Sequence, residues 1–375
     1  MAPRTPPTGH VDLAIVGAGV VGLAHAVEAV ERGLSVVVLD RDERAVGASV
    51  RNFGHICLTA QHGPALEYGL AARERWLAMA AKAGFWVSEA GTVVAARTAD
   101  EHAVLAEFAA ERGDQVHLLD AAGVRSKLPR VSDEVTGGAW LPLDLRVDPR
   151  EAIPALAAWL AAQGVDFRWH TSATGVETGA VHTTRGTVTA DRVVVAVGHD
   201  VDRLLPGVAE AAGVRRCLLQ MLEVSTPDSV VFDPAVLTGL SMVRYAGLRA
   251  CPSADEVQRR LAADHPDLLE VVMNLMFTQR PGGDLVIGDT HAYATTHGPF
   301  DDEATADLVL RETARLLGVD RLTVRRRWRG VYASADAEFL VAQPFPGVRV
   351  VSVTSGIGMT TAFGLAPTVL DDLLR

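Results

Sequence analysis

The sequence has few cysteines and no long uninterrupted apolar run. The three cysteines, Cys57, Cys217 and Cys251, are spaced too widely for a disulfide framework or a metal-binding motif. This usage predicts a reducing, cytoplasmic location and no metal. No segment reaches the ~18 to 20 consecutive apolar residues of a membrane span. The opening MAPRTPPTGH is too polar and proline-rich for a signal peptide, so we expect a loose tail there.

Basic residues are also in deficit. The 35 Lys and Arg residues are outnumbered by 46 Asp and Glu, which gives a formal net charge of -11. That balance argues against non-specific binding to nucleic acid. Apolar residues make up 49% of the 375 positions, enough for a sizeable core. The length allows two domains or one large interleaved domain.

The most informative stretch is residues 11–40, VDLAIVGAGVVGLAHAVEAVERGLSVVVLD. Two β-branched runs flank a helical segment, which predicts a strand, a GxGxxG turn, a helix and a second strand. Gly17 permits the tight turn, Gly19 lets the backbone approach a pyrophosphate, and Gly22 lets the helix pack closely. Asp40 is placed to accept hydrogen bonds from ribose hydroxyls. The motif predicts a dinucleotide site without choosing between NAD and FAD.

Two later stretches resemble pieces of the same sheet. Residues 190–200, ADRVVVAVGHD, predict a buried strand that ends near Gly198. Residues 348–374 predict a strand, a turn at Gly356-Ile357-Gly358 and a helix. Nucleotide-binding elements at the beginning, middle and end of the chain favour FAD over NAD. No second GxGxxG for NADPH and no CxxC or CxxxxC pair is present.

Local patterns predict several further elements. Apolar periodicity predicts helices over residues 64–83 and 101–112, and a third helix after Asp148, which can cap it. Residues 85–97 predict strand, turn and strand, with Gly91 at the turn. Residues 279–288, QRPGGDLVIG, predict a hairpin around Gly282-Gly283.

The chain resembles the D-amino-acid oxidase superfamily, which includes glycine and sarcosine oxidases. The matching pieces are GAGVVG at 17–22, RVDPR at 146–150, VVVAVG at 193–198, GDLVIGDTHAY at 283–293 and GIGMTTAFGLAP at 356–367. The resemblance implies an α/β fold with a Rossmann-type FAD-binding domain and an interleaved antiparallel-sheet substrate domain. We expect the FAD-binding domain at residues 10–84, 145–205 and 320–375, and the substrate-binding domain at 85–144 and 206–319.

A narrower resemblance rests on GASVRNFGH at residues 47–55. It is similar to FAD-dependent oxidoreductases associated with aminophosphonate breakdown, whose implied substrates are 2-aminoethylphosphonate and N-methyl or hydroxy relatives. Sarcosine oxidases attach their flavin to a cysteine before the C-terminal glycine turn, and this chain has no cysteine after Cys251. We therefore expect non-covalent FAD, with a histidyl linkage near His55 as the less favoured alternative.

The predicted FAD contacts come from the glycine turns and from the stretch after Asp40. The helix that begins near Gly356 suits the pyrimidine edge of the flavin, where negative charge develops on reduction. An ordinary tight strand–helix turn is the alternative there. The full predicted set is Gly17, Gly19, Val20, Val21, Gly22, Asp40, Arg41, Ser49, Val50, Arg51, Asn52, Val176, Gly198, Gly330, Gly356, Ile357, Gly358, Met359 and Thr360.

Five residues are candidates for the substrate side. Arg51 suits a phosphonate because a guanidinium binds such oxyanions bidentately, but a salt bridge or contact with the flavin phosphates is equally open. Arg280, His291 and Arg329 are candidates for the further cation that a dianion requires, and His291 is equally a core histidine. His55 can accept a proton from the substrate ammonium, as can solvent.

Together these patterns predict a flavoprotein that oxidises the C–N bond of a small aminoalkylphosphonate by hydride transfer to flavin N5. Hydrolysis of the imine would release phosphonoacetaldehyde and an amine. A glycine, sarcosine or D-amino-acid oxidase is the first alternative, and a flavin-binding protein without turnover is the second. The expected partner is a small anionic amine, with oxygen as one option for the electron acceptor and neither nucleic acid nor membrane as a partner. The oligomeric state stays open.

Overall fold

The computed structural model describes residues 10–375, so the predicted tail lies outside the described residues except for His10. The strands are β1 Val11–Val16, β2 Val36–Leu39, β3 His55–Ile56, β4 Val87–Ser88, β5 Thr92–Ala96, β6 His117–Asp120, β7 Gly137–Leu141, β8 Leu145–Val147, β9 Asp166–Arg168, β10 Ala173–Glu177, β11 Ala180–Thr183, β12 Gly186–Val195, β13 Arg215–Val224, β14 Ala235–Leu237, β15 Met276–Gln279, β16 Leu285–Gly288, β17 Ala292–Ala294, β18 Val324–Ala342 and β19 Val348–Ser355. The helices are α1 Val20–Glu31, α2 Gly63–Ala83, α3 Ala99–Arg112, α4 Ala121–Lys127, α5 Pro149–Ala162, α6 Val201–Leu204, α7 Pro206–Ala211, α8 Gly239–Met242, α9 Ala246–Arg249, α10 Ala254–Asp264, α11 Pro266–Glu270, α12 Glu303–Leu317 and α13 Gly358–Leu373.

Five parallel strands form one half of the main sheet, in the order β9-β2-β1-β12-β19. Apart from the short, half-buried β9, these strands contain the β-branched runs that the sequence predicts, and burial on both faces explains why those runs are almost continuously apolar. The chain proceeds from β1 to β2 on one side and returns to β12 on the other. The order therefore reverses between β1 and β12, which is where open α/β sheets bind ligands at the carboxyl ends of their strands.

Helices cover one face of this parallel half. Side chains of α1, α2, α5 and α13 pack together with inward-facing residues of β1 and β2, and Trp76 and Phe363 meet edge to face at 4.9 Å in this core. The helix after Asp148 begins as predicted, because the Asp148 carboxylate accepts a hydrogen bond from the Arg150 N–H at 3.0 Å. The β10–β11 hairpin covers part of the other face.

The other half of the main sheet is mostly antiparallel. Its order is β6-β7-β5-β14-β15-β16-β13-β18, with β17 paired to β13 and one parallel contact between β5 and β14. The predicted hairpin around Gly282-Gly283 is present, since β15 and β16 pair with Gln279 opposite Leu285. A small separate sheet, β3-β8-β4, lies beside it. This mixed architecture confirms the predicted α/β fold class.

The 19-residue strand β18 joins the two halves. Its first part pairs with β13 from Val324 to Ser334, and its second part pairs with β19 from Phe339 to Ala342. The register shifts between Ser334 and Phe339, where the strand passes from one half to the other. β18 therefore pairs with strands of both predicted domains, although residues 320–375 were expected to belong wholly to the FAD-binding domain. The domain boundaries stay a prediction.

Candidate functional site

The GxGxxG turn has no room for side chains. Gly17 has a φ of +106°, and a Cβ there would lie 2.4 Å from the Ala196 carbonyl oxygen at the end of β12. A Cβ on Gly22 would lie 1.9 Å from the Gly17 carbonyl oxygen. Both atoms belong to the backbone and cannot move aside easily. The turn therefore holds the start of α1 directly against the carboxyl ends of β1 and β12, as the motif predicts.

The acidic residue after β2 lies beside this turn. Asp40 accepts hydrogen bonds from the Ala18 N–H at 2.8 Å and from the Asp42 N–H at 3.0 Å. Burial raises its pKa above the usual range for an aspartate. Each carboxylate oxygen keeps a further lone pair, so Asp40 can still accept from ribose hydroxyls. The neighbouring Arg41 forms an ion pair with Asp200 at 2.7 Å.

The segment after Asp40 returns to the start of α1. The Ser49 hydroxyl accepts a hydrogen bond from the Val20 N–H at 2.8 Å and so caps one of the free donors of this helix. The Asn52 amide donates to the carbonyls of Ala48 and Ser49, and its oxygen accepts from the Gly54 N–H at 2.7 Å. Asn52 thereby shapes the turn that brings residues 49–55 to the cavity.

A cavity of about 610 Å³ opens along these elements. It reaches from the glycine turn and Asp40, past the start of α13, to residues of the antiparallel half. The structure brings the following predicted residues to its lining: Gly17, Gly19, Val20, Val21, Asp40, Arg41, Ser49, Arg51, Asn52, His55, Gly198, His291, Gly330, Gly356, Ile357, Gly358, Met359 and Thr360. Most of the predicted FAD contacts thus lie on one continuous surface.

The second glycine turn lies where the parallel and antiparallel halves meet. Gly356 has a φ of +79°, and a Cβ there would lie 2.9 Å from the Tyr332 ring of β18. The Trp76 indole donates to the Met359 carbonyl at 2.8 Å and fixes the first turn of α13. The positive N-terminal end of this helix faces the cavity. A close backbone approach and a helix N-terminus are what the pyrimidine edge of a flavin requires.

Three predicted cofactor contacts do not line the cavity. Gly22 acts through the geometry of the turn, as its contact with the Gly17 carbonyl shows. Val50 packs against the core that contains α1, and the side chain of Val176 points from strand β10 into the core. Neither residue lines the cavity, and their contact with FAD stays a prediction.

Arg280 and Arg329 also lie outside the cavity lining, which corrects the expectation that they bind the substrate. Arg280 lies 2.8 Å from Asp148 and 3.1 Å from Glu223, so these two carboxylates already neutralise its charge. Arg329 pairs with Asp301 at 2.6 Å and donates to the Gly298 carbonyl. Both arginines are occupied by ion pairs with residues distant in the sequence. A single sequence does not reveal such pairs, so it cannot distinguish these arginines from an arginine that is free to bind a ligand.

Arg51 remains available to a ligand. It is exposed, lines the cavity and has no ion pair with a carboxylate among residues 10–375, and its Nη1 donates a long hydrogen bond of 3.5 Å to the Arg329 carbonyl. The Trp328 indole donates to the Arg51 carbonyl at 3.0 Å, so Trp328 positions this backbone and does not itself line the cavity. The predicted choice between flavin phosphates and substrate anion stays open for Arg51.

His55 is held by a buried hydrogen-bond chain. Its Nε2 lies 2.7 Å from the Thr92 hydroxyl, and that hydroxyl lies 2.7 Å from Asp144, which is fully buried. The single proton of Thr92 is used toward Asp144, so Nε2 of His55 donates to Thr92. Nδ1 then carries the lone pair, and it has no hydrogen-bond partner. This tautomer keeps His55 able to accept a proton.

Sequence reasoning missed the main polar residues at the far end of the cavity. Arg244 lines this end, donates to the Tyr293 hydroxyl at 3.1 Å and forms no ion pair with a carboxylate within residues 10–375. Asp289 lines it as well and is 6% exposed. Arg244 lies in SMVRYAG, which matches no motif. Asp289 lies in GDTHAY, a segment from which only His291 was predicted as a site residue.

His291 was expected as a candidate for the second cation, but its charge differs from that expectation. Burial lowers the pKa of His291, so its imidazole is neutral at pH 7 and does not supply the second cation. Burial raises the pKa of the Tyr332 phenol well above its ordinary value, so Tyr332 lines the cavity as a neutral group. Arg244 is therefore the fixed positive charge beside Asp289, since its pKa is raised further by the Tyr293 hydrogen bond and the nearby carboxylate.

The structure also bears on the cysteines and on membrane-spanning helices. Cys57, Cys217 and Cys251 are buried and free, which agrees with the absence of a disulfide pattern. Burial raises the pKa of all three thiols. Between residues 10 and 375, no helix is both long enough and apolar enough to span a membrane.

Comparisons with known proteins agree with this geometry. The family described as FAD dependent oxidoreductase (DAO) matches residues 12–371. A glycine oxidase structure from Geobacillus kaustophilus is similar with a TM-score of 0.79 and 20% identity, over 98% of this chain and 95% of that one. Its likeness shows the fold alone.

Two curated relatives are bifunctional proteins. The chain is 31% identical over 210 residues to a bifunctional protein ThiO/ThiG of Synechocystis sp., covering 52% of this chain and 31% of the relative. It is 28% identical over 334 residues to the tRNA 5-methylaminomethyl-2-thiouridine biosynthesis bifunctional protein MnmC of Chromohalobacter salexigens, covering 84% and 42%. The chain therefore spans less than half the length of these relatives.

Proposed function

The chain belongs to the DAO family of FAD-dependent oxidoreductases, and from this premise we propose that it oxidises the C–N bond of a small aminoalkylphosphonate. The observation that supports this substrate class most is Arg244, which forms no ion pair with a carboxylate among the described residues and lies at the end of the cavity away from the glycine turn. A guanidinium binds a phosphonate bidentately and stays charged at every relevant pH.

The cavity suits two neighbouring ligands. Gly17, Ser49 and Asp40 would hold the ADP half of FAD, and the first turn of α13 would hold the pyrimidine edge. When bound, FAD supplies the hydride acceptor for oxidation of the carbon that bears the nitrogen. The chain itself binds the substrate anion through Arg244 and walls the remaining space with Phe53, Met276 and Tyr332.

The overall reaction follows from the chemistry of such an amine. The substrate loses a hydride from carbon and a proton from nitrogen and becomes an imine. Water adds to that imine and releases phosphonoacetaldehyde and an amine. Overall, the two electrons would pass to oxygen or another acceptor. The tautomer of His55, with a free Nδ1, makes it one acceptor for the proton, and solvent is the other.

A substrate panel tests this proposal. The holoenzyme is mixed without oxygen with 2-aminoethylphosphonate, its N-methyl and 1-hydroxy derivatives, glycine, sarcosine and D-alanine, and bleaching of the oxidised flavin is followed. Aldehyde release and peroxide formation are then measured in air. We expect the phosphonates to reduce the flavin fastest and to yield aldehyde.

Two outcomes would contradict the proposal. Faster reduction by glycine, sarcosine or D-alanine would favour an amino-acid oxidase, whose carboxylate substrate Arg244 would equally bind. A flavin that stays yellow with every amine would favour a flavin-binding protein without turnover. FAD uptake by the purified chain is the control that separates either outcome from a cofactor-free preparation.

A further inference from the structure

Two hydrogen-bond acceptors lie beside each other in the cavity without a donor between them. Oδ1 of Asp289 is buried and has no hydrogen-bond partner. Oδ2 of the same carboxylate lies 3.7 Å from Nε2 of His291, too far for a hydrogen bond. Both residues line the cavity and are less than a tenth exposed. A buried carboxylate oxygen that lacks a donor is costly, so a ligand donor at this place would be stabilising.

The tautomer of His291 follows from its other ring nitrogen. Nδ1 lies 2.9 Å from the Val272 carbonyl, and a carbonyl oxygen can only accept, so Nδ1 carries the hydrogen. In the neutral ring Nε2 is then a lone pair that faces the Asp289 carboxylate. Stacking of the ring on Tyr293, with 6.3 Å between centroids, supports this orientation. Two acceptors thus face a shared space that only a donor can fill.

Backbone hydrogen bonds fix Asp289 in place. Its N–H donates to the Asn274 carbonyl at 3.1 Å, and its carbonyl accepts from the Asn274 N–H at 2.9 Å. Burial raises the pKa of the Tyr245 and Tyr332 phenols well above their ordinary value, and the nearby Asp289 adds to this, so both phenols are neutral. The carboxyl group of Asp289 is held at a defined point of the lining; burial raises its pKa, and the nearby His291 and Arg244 oppose that shift.

We propose that Asp289 and His291 form the amine-binding subsite of this enzyme. The substrate ammonium would donate one hydrogen to Asp289 and one to Nε2 of His291, while Arg244 binds the anionic group at the other end of the substrate. The site would therefore select small zwitterions over plain anions. This inference rests on the proposed function, because it assumes that the cavity accepts an amine, but it does not depend on the anion being a phosphonate.

A pair of matched ligands isolates the amine contact. In 2-amino-2-methylpropylphosphonate the carbon that bears the nitrogen has no hydrogen, so it cannot be oxidised. In 2,2-dimethylpropylphosphonate a methyl group replaces the amine and the shape is retained. Each is titrated into the holoenzyme, and the change in flavin absorbance gives a Kd. We expect the amine to bind roughly thirtyfold more tightly or better, since it places a charged donor between two buried acceptors.

Variants then assign this preference to residues. Asp289→Asn should bring the ratio of the two Kd values close to one, and His291→Phe should lower it by a smaller factor. Arg244→Met should weaken both ligands alike and leave the ratio unchanged. A wild-type ratio near one, or a ratio that survives Asp289→Asn, would overturn the inference. If Asp289→Asn fails to retain FAD, the wild-type ratio tests the amine preference and His291→Phe tests its assignment to this pair.

The same design separates this inference from the proposed function. The carboxylate pair, 3-amino-3-methylbutanoate and 3,3-dimethylbutanoate, differs in the same amine-to-methyl exchange. If the carboxylates bind better than the phosphonates, the phosphonate proposal fails. An Asp289-dependent ratio within the carboxylate pair would still support the amine subsite.

Discussion

At the scale of single residues, the half-buried Arg244 and the fully buried His25 show two opposite uses of a basic side chain. Arg244 keeps its charge and lines the cavity, with only the Tyr293 hydroxyl as a side-chain partner. His25 lies in α1, is fully buried, and has an Nε2 without a hydrogen-bond partner. We propose that the first residue binds a ligand, and we expect the second to make the fold sensitive to acid.

Replacement of Arg244 should impair catalysis without impairing cofactor binding. We expect Arg244→Met to lower kcat/KM for anionic amines by roughly 30-fold to 1,000-fold, because a buried charged contact to the substrate is lost. The exposed Arg259 pairs with Glu256 on the surface of α10, and Arg259→Met is the matched control. Steady-state kinetics and the flavin-to-protein ratio measure both variants. Equal activity of the two variants would exclude Arg244 as the anion-binding residue.

The stability of the protein should fall in acid because of His25. Burial lowers the pKa of His25 from 6.5 to about 4. The unfolded chain therefore binds more protons than the folded one between these values, so stability decreases as the pH falls through that window. The expected contribution is about 3 kcal/mol between pH 7 and pH 4.

Urea unfolding at several pH values measures this effect. His25→Gln removes the titrating group and should flatten the pH dependence by that amount, whereas His182→Gln, at an exposed position, should not. Equal pH dependence of wild type and His25→Gln would show that His25 does not cause the acid sensitivity.

The residues that the sequence identified and the residues that it missed differ in one respect, the separation in sequence between each residue and its partners. Gly17, Gly22 and Asp40 belong to one short motif whose geometry is local, so their positions could be predicted. Arg280 was misassigned because its partner Asp148 lies 132 positions away in the sequence. Arg244 was missed because the cavity that it lines is formed by segments that are distant from it in the chain.

At the scale of elements, we expect the glycine turn between β1 and α1 to set the affinity for the cofactor. A Cβ at Gly22 would lie 1.9 Å from the Gly17 carbonyl oxygen, so the helix would have to move away from the turn. Elements such as α2, α5, the β15–β16 hairpin and the parallel strands were predictable, because each has a periodic apolar pattern or a turn signal. β18 was not, because its arginine-rich beginning resembles a solvated segment.

Gly22→Ala should therefore weaken FAD binding roughly fivefold to 150-fold, since overpacking at backbone distance costs roughly 1 to 3 kcal/mol. Gly207 is the control, because a Cβ there meets no atom within 4 Å. Titration of apoprotein with FAD, followed by flavin fluorescence, gives both affinities. Wild-type affinity in Gly22→Ala would show that the turn tolerates a side chain.

At the scale of the whole molecule, β18 joins the parallel half and the mostly antiparallel half into one sheet. Because the strand pairs with both β13 and β19, neither half can lose it without disrupting the other. The same strand brings Gly330 and Tyr332 to the cavity. Cofactor site and substrate site are therefore coupled through a shared strand.

Thermal unfolding should accordingly occur in one transition. We expect the loss of secondary structure by circular dichroism and the rise in flavin fluorescence on FAD release to coincide in temperature. Both signals are recorded on the same holoenzyme sample, and a change of heating rate serves as the control for irreversibility. A second structural transition well above the temperature of flavin release would show that the halves unfold independently.

The parallel order β9-β2-β1-β12-β19 also bears on protein synthesis. β1 leaves the ribosome early, but β19 and α13, which complete the cavity at Gly356, follow more than 300 residues later. At about 5 to 20 residues per second, this delay amounts to roughly 15 to 65 seconds. Once β12 has emerged, the edge that β19 later covers has no neighbouring strand until the chain reaches Val348. We therefore expect FAD to bind the nascent chain only after these last elements have emerged, because the flavin cradle is incomplete before then.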